Sequence, residues 1–113
     1  MARIKTIKPE FWAKENDGWG QARRHIYLIQ EGADGPIKVG VAGHPTRRLT
    51  TLQAGNSRRL YLCAVYSGTP EDCCEVERQT LKHFGRLSGE WLRDNNLDDV
   101  VGFLNTFDDG EQA

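Results

Sequence analysis

Two short runs of strand-favouring residues, His25-Ile26-Tyr27-Leu28-Ile29 and Ile37-Lys38-Val39-Gly40-Val41, stand on either side of Gly32-Ala33-Asp34-Gly35-Pro36. Apolar, aromatic and β-branched side chains suit a pleated, half-buried surface, and the second run alternates at the period of two that a strand requires. A Gly- and Pro-containing turn between such runs predicts an antiparallel hairpin with a longer loop. A third strand is expected over Leu60-Tyr61-Leu62-Cys63-Ala64-Val65-Tyr66, apolar enough to lie centrally in its sheet and closed by Ser67-Gly68.

Helices fill the intervals. Pro45 suits a first helical turn, and Leu49 and Leu52 share a face, so a short helix is expected from Pro45 to Gln53, stopped by Gly55 and Asn56. Thr69, Pro70 and Asp72 form a helix start, because hydroxyl and carboxylate can satisfy the open amides of the first turn. That helix should reach Phe84 and bury Cys73, Val76, Glu77, Thr80, Leu81 and Phe84 along one face. Glu77 interrupts the stripe: its carboxylate must be paired, hydrogen-bonded, metal-bound or at the edge, since burying an isolated charge is costly. Gly89-Glu90-Trp91-Leu92 reads as a short extended piece, and Leu97 to Phe107 as a closing helix with Leu97, Val100, Val101 and Leu104 inward. The expected fold is α+β, a small three-stranded antiparallel sheet flanked by helices.

At 113 residues, with 38% apolar and 27% charged residues, the chain suits one small soluble domain. It has no run of about 20 apolar residues, so no membrane association is expected, and without a secretory leader pattern the expected location is cytoplasmic. Cys63, Cys73 and Cys74 show neither a zinc spacing nor an even count, and are expected to be reduced and packed as small apolar groups. The net charge of −1 conceals an asymmetry: residues 1–93 hold 15 bases and 10 acids, whereas residues 94–113 hold six acids and no base. A basic body suits a polyanion, and the acidic end could shield it, bind a basic partner or simply be solvated, the last being expected beyond Thr106.

The candidate chemistry lies on one face of the hairpin. Tyr27 and Ile29 share a side of the first strand, and Lys38 and Gly40 a side of the second. A register placing Tyr27 beside Lys38 would let the ammonium stabilise the phenolate and lower the tyrosine pKa toward that of a general base. Arg48 and Glu77 would complete a cluster of base, cations and metal-binding carboxylate, a set suited to phosphodiester hydrolysis.

The order His25-Ile26-Tyr27, Lys38-Val39-Gly40, Arg48, Leu49 through Asn56, Glu77 and Gly89-Glu90-Trp91 resembles the GIY-YIG nuclease superfamily, in particular its short phage and bacterial branch. There the second motif commonly reads Lys-Ile-Gly. The resemblance spans His25 to Arg93 and implies a metal-dependent endonuclease that cuts DNA with one Mg2+ or Mn2+ ion. It further implies that Glu77 holds the metal, Tyr27 activates water, Arg48 clamps the scissile phosphate and Lys38 takes the place of the second motif's tyrosine. Gly40, His44, Asn56 and Glu90 would support them. Val41 and Leu81 depart from the pattern, standing where relatives carry tyrosine and histidine, and Phe84 to Gly89 is short.

Residues 1–24 read as an irregular basic and aromatic arm, 25–107 as the GIY-YIG-like domain and 108–113 as an acidic tail. The opening Arg3-Ile4-Lys5-Thr6-Ile7-Lys8-Pro9-Glu10-Phe11-Trp12 is similar to the start of many phage replication and DNA-associated proteins, which implies a phage or prophage origin. Arg23, Arg24, Arg47, Arg58 and Arg59 are candidate phosphate contacts; Trp12 and Trp19 could stack on bases, although covering the sheet is the expected role of Trp12. The alternative function is a nuclease-fold protein with little or no turnover that binds and modulates a host or phage protein or nucleic acid. Its motivation is Val41, Leu81 and the acidic end.

Overall fold

The computed structural model describes residues 2–14, 24–94 and 96–108. Its elements are β1 (Lys5–Thr6), a 3-10 helix (Pro9–Lys14), β2 (Arg24–Glu31), β3 (Ile37–Ala42), α1 (Pro45–Ala54), β4 (Leu60–Gly68), α2 (Pro70–Phe84), β5 (Arg86–Ser88), β6 (Trp91–Leu92) and α3 (Leu97–Asn105). The fold is α+β, as expected, but the antiparallel sheet has six strands in the order β1-β4-β2-β3-β6-β5 rather than three. β6 falls in the extended piece expected over Gly89 to Leu92, of which Gly89 and Glu90 are turn, whereas β1 and β5, two and three residues long, are too short for a period-two signal to register in sequence.

The β2–β3 hairpin forms over the expected residues. Gly32 turns the chain at φ 67°, and Gln30 Nε2 donates to the Gly35 carbonyl at 3.0 Å, pinning the loop. β4 is an interior strand, as expected, flanked by β2 along its length and by β1 at Tyr66 and Ser67, while β2 pairs along its length with both β3 and β4.

Alternation along the hairpin supplies two cores. Ile26, Leu28, Ile37 and Val39 meet Cys73, Val76 and Leu81 of α2 and Val100 and Leu104 of α3. Tyr27, Ile29, Leu60 and Val65 meet Leu49 and Leu52 of α1, with Trp12 and Ile7. Each buried aliphatic side chain stabilises the fold by roughly 1.5–3 kcal/mol. The α2 start is capped as expected, with the Asp72 amide donating to Thr69 Oγ1 at 3.1 Å. Thr80 is buried in the stripe with its hydroxyl donating to the Val76 carbonyl at 2.7 Å. Glu77 is half-buried at the stripe's margin.

Several expectations need correction. The described part of the N-terminal arm is not irregular: Ile7 N donates to the Val65 carbonyl at 2.9 Å, Ile4 is 2% exposed, and β1 extends the sheet. Trp12 covers the sheet, as expected, with Nε1 donating to the Ile7 carbonyl at 2.9 Å. The acidic end is not wholly solvated, because Asp108 bridges to Ile4 and accepts hydrogen bonds from the Thr6 amide (3.0 Å) and hydroxyl. Segments distant in sequence, around Ile4 to Thr6 and at Asp108, thus meet. α3 stops at Asn105, two residues short of the expected Phe107. Of the thiols only Cys73 is buried; Cys63 is half-buried and Cys74 exposed, because adjacent helix positions point to different faces. Among the described residues no helix is long and apolar enough to cross a membrane.

Candidate functional site

The hairpin register differs from the one assumed. Tyr27 pairs with Gly40, and Lys38 pairs with Ile29. Tyr27 and Lys38 therefore share a face without being cross-strand neighbours. The pairing gives Gly40 a specific role, because a Cβ built there would overlap Tyr27 Oη and Cζ and come within 2.9 Å of Cε2. Only a residue without a side chain lets the tyrosine ring lie across β3.

Tyr27 is 1% exposed, and its phenol pKa is raised rather than lowered. Burial is the main cause, the charges of Glu90 and Glu77 add to it, and a hydrogen bond from Arg48 opposes it. The cation that steadies the phenol is thus Arg48, one helical turn into α1, and not Lys38. Loop and strand positions alone could not show this, since it depends on how α1 packs over the Tyr27 face.

Lys38 engages other groups. Its ammonium lies 3.1 Å from Glu90 Oε1 and 5.6 Å from the centre of the Trp91 ring. Trp91 is the partner of Lys38 across β3 and β6, so register brings ring and ammonium together. Glu90 also faces Glu77. The Glu77 carboxyl is pushed up to about 7, by burial first and then by hydrogen bonding to and charge repulsion from Glu90, with Lys38 and Arg86 opposing. Its Oε2 is buried and makes no hydrogen bond.

The structure thus gathers Tyr27, Gly40, Arg48, Lys38, Glu90 and Glu77 into one linked cluster. It adds Trp91 and Arg86, which the sequence reading did not single out as site residues. Both flank Gly89, which turns the β5–β6 hairpin at φ 57°, so a glycine turn between short runs was the available signal. His44 occupies the N-cap position of α1, where its carbonyl accepts the Arg48 amide at 2.9 Å and its side chain does not cap the helix. Asn56 has a turn-forming role, its Oδ1 accepting the Arg58 amide at 2.8 Å. Gln53 completes that loop, accepting from Leu60 N at 2.8 Å and donating to the Arg58 carbonyl at 2.8 Å.

Arg47, on α1, is exposed, as are Arg58 and Arg59 just before β4, whereas Arg24 is half-buried at the start of β2. The Arg59 guanidinium lies 5.9 Å from the Tyr61 ring centre. Arg23 and Trp19 lie outside the described residues.

Glu77 and Glu90 provide hard oxygen donors facing each other, one with an unused buried oxygen. Mg2+ is commonly held by one or two carboxylates while retaining water and phosphate ligands, so this donor set fits such an ion. No group of three or more His, Cys, Asp or Glu suited to a metal occurs among the described residues. No protein-family model matches the chain, and no curated protein or solved structure matches it.

Proposed function

We propose that this chain is a GIY-YIG-like, divalent-cation-dependent endonuclease that hydrolyses DNA phosphodiester bonds, encoded by a phage or prophage and acting in the host cytoplasm. The observation that carries the reading is the joining of a buried phenol, a guanidinium hydrogen-bonded to it and a carboxylate pair within electrostatic reach. Phosphodiester hydrolysis needs those three functions together: a proton acceptor for water, a donor for phosphate oxygens and a cation ligand.

Tyr27 in its phenolate form takes the proton of the attacking water as the water oxygen bonds to phosphorus and the leaving oxygen departs with its electron pair. Burial and two nearby carboxylates keep the phenol protonated at rest, and Arg48 is the group on this chain that favours the phenolate. Arg48, exposed on its outer side, can turn the rest of its guanidinium fork toward a phosphate oxygen. Gly40 leaves the room in which the ring lies across β3. Glu77 would hold one Mg2+ or Mn2+ ion, with Glu90 as a supporting group; the ion when bound supplies charge neutralisation at the phosphate and leaving oxygens. Arg47, Arg58 and Arg59 provide exposed positive charge for backbone phosphates.

The test is cleavage of plasmid and oligonucleotide DNA with Mg2+ or Mn2+, comparing wild type with Tyr27→Phe and Glu77→Ala and with a chelator control. Metal-dependent cleavage lost in both variants is expected. Absence of cleavage by well-folded wild type would overturn the enzyme reading. One observation favours the alternative of a weakly active binding protein: Leu81 and Val41, which replace polar residues of the resembled pattern, both pack with the apolar cluster under α2. In that case partner capture should persist in Tyr27→Phe.

A further inference from the structure

We propose that Glu90 is a second carboxylate ligand of the divalent-cation site and that Lys38 is a tethered cation which the metal displaces from it. The inference rests on the nuclease reading above. Lys38 is 8% exposed, yet among the described residues its ammonium is held by one carboxylate oxygen, Glu90 Oε1 at 3.1 Å, and by the Trp91 ring. Glu90 occupies the Gly89-Glu90 turn, where its side chain is not bound to strand alternation and addresses both Lys38 and Glu77. Glu77 contributes an Oε2 that is buried and hydrogen-bonded to nothing.

Two facing carboxylates share one nearby ammonium, with the Arg86 charge acting on Glu77 from β5. The ammonium pairs with Glu90, and no ion pair reaches Glu77 among the described residues. A divalent ion between the two carboxylates reaches both, and it also satisfies the idle oxygen. An ammonium is a compact point charge without the fork of a guanidinium, so it can release a carboxylate without breaking a bidentate contact. Trp91 gives the released ammonium a face to remain on, through cation–π attraction. Lys38 thus keeps the carboxylate pair assembled before the metal arrives and limits how tightly the metal is held.

The experiment measures cation affinity directly on the full chain without nucleic acid, by Mn2+ electron paramagnetic resonance and Mg2+ calorimetry at one pH. Wild type is compared with Lys38→Met, Glu90→Gln, Glu77→Gln and the Lys38→Met/Glu90→Gln double variant, each checked for folding by circular dichroism. Lys38→Met, which keeps the apolar stem, should bind about tenfold tighter, a change of about 1.4 kcal/mol. Glu90→Gln should bind more weakly, Glu77→Gln should lose binding, and the double variant should gain nothing over Glu90→Gln. Glu77-dependent binding that is indifferent to both Lys38 and Glu90, or weakened by Lys38→Met, would overturn the exchange while leaving Glu77 as the metal ligand. Absence of binding, or binding indifferent to Glu77, would overturn the exchange and the metal assignment together. If Lys38→Met does not fold, unchanged affinity in Glu90→Gln overturns the proposal and weakened affinity supports it.

Discussion

Replacing Glu77 by Gln should make the metal-free protein more stable at pH 8 while leaving its stability at pH 4.5 nearly unchanged. The folded carboxyl is pushed from its usual 4.5 up to about 7 by burial and by Glu90. Between those values the folded chain holds a proton that the unfolded chain has lost, so wild-type stability falls as pH rises through that window. The full interval corresponds to about 3 kcal/mol at 1.36 kcal/mol per pH unit. Solvent screening of a half-buried carboxylate reduces this to ~1–2 kcal/mol. A neutral amide removes that charge penalty and can donate to Glu90. For a domain of this size the gain at pH 8 should appear as a Tm increase of roughly 4–8 °C. Thermal melts of both proteins at pH 4.5, 6 and 8, with chelator present, measure it; taking the difference between them cancels titrations elsewhere. A wild type that gains stability relative to Glu77→Gln as pH rises from 4.5 to 8 would refute the reasoning.

Gly40→Ala should destabilise the fold by ~1–3 kcal/mol, because the new methyl meets the Tyr27 ring and either the ring or β3 must move; a denaturant titration reads the loss, and an unchanged midpoint would count against that packing. Thr69→Ala should cost ~1 kcal/mol by opening the Asp72 amide at the α2 start, measurable in the same titration. Under native conditions a thiol reagent should label Cys74 first, Cys63 more slowly and Cys73 only on unfolding, read by mass spectrometry against time.

The β2–β3 hairpin, α1 and α2 were legible in the sequence because their signals are local. A Gly- and Pro-containing turn joins two strand runs, Pro45 opens one helix, and Thr69 with Asp72 opens another. Glu77 likewise stands out as a charge in an apolar stripe, and strand alternation puts Tyr27 with Ile29 on one side of β2 and Lys38 with Gly40 on one side of β3. Composition and periodicity carry that information whatever the rest of the chain does.

Tertiary structure decided what depends on residues far apart along the chain. Shifting the assumed partner of Tyr27 from Lys38 to Gly40 kept every side chain on its face, so alternation could not choose between the two registers. The sign of the Tyr27 pKa shift followed from enclosure by α1, with Arg48 opposing, and no strand pattern records how deeply a packed helix buries a phenol. The Glu77–Glu90 contact joins α2 to a turn between two very short strands, and Lys38 joins both through that turn. Thr6 and Asp108, which 102 positions separate, are joined by a hydrogen bond. Residue types and local periods determined the elements and the candidate chemical groups; only packing determined which groups face one another and which charge each one feels, because register, burial and Coulomb interaction act through space rather than along the chain.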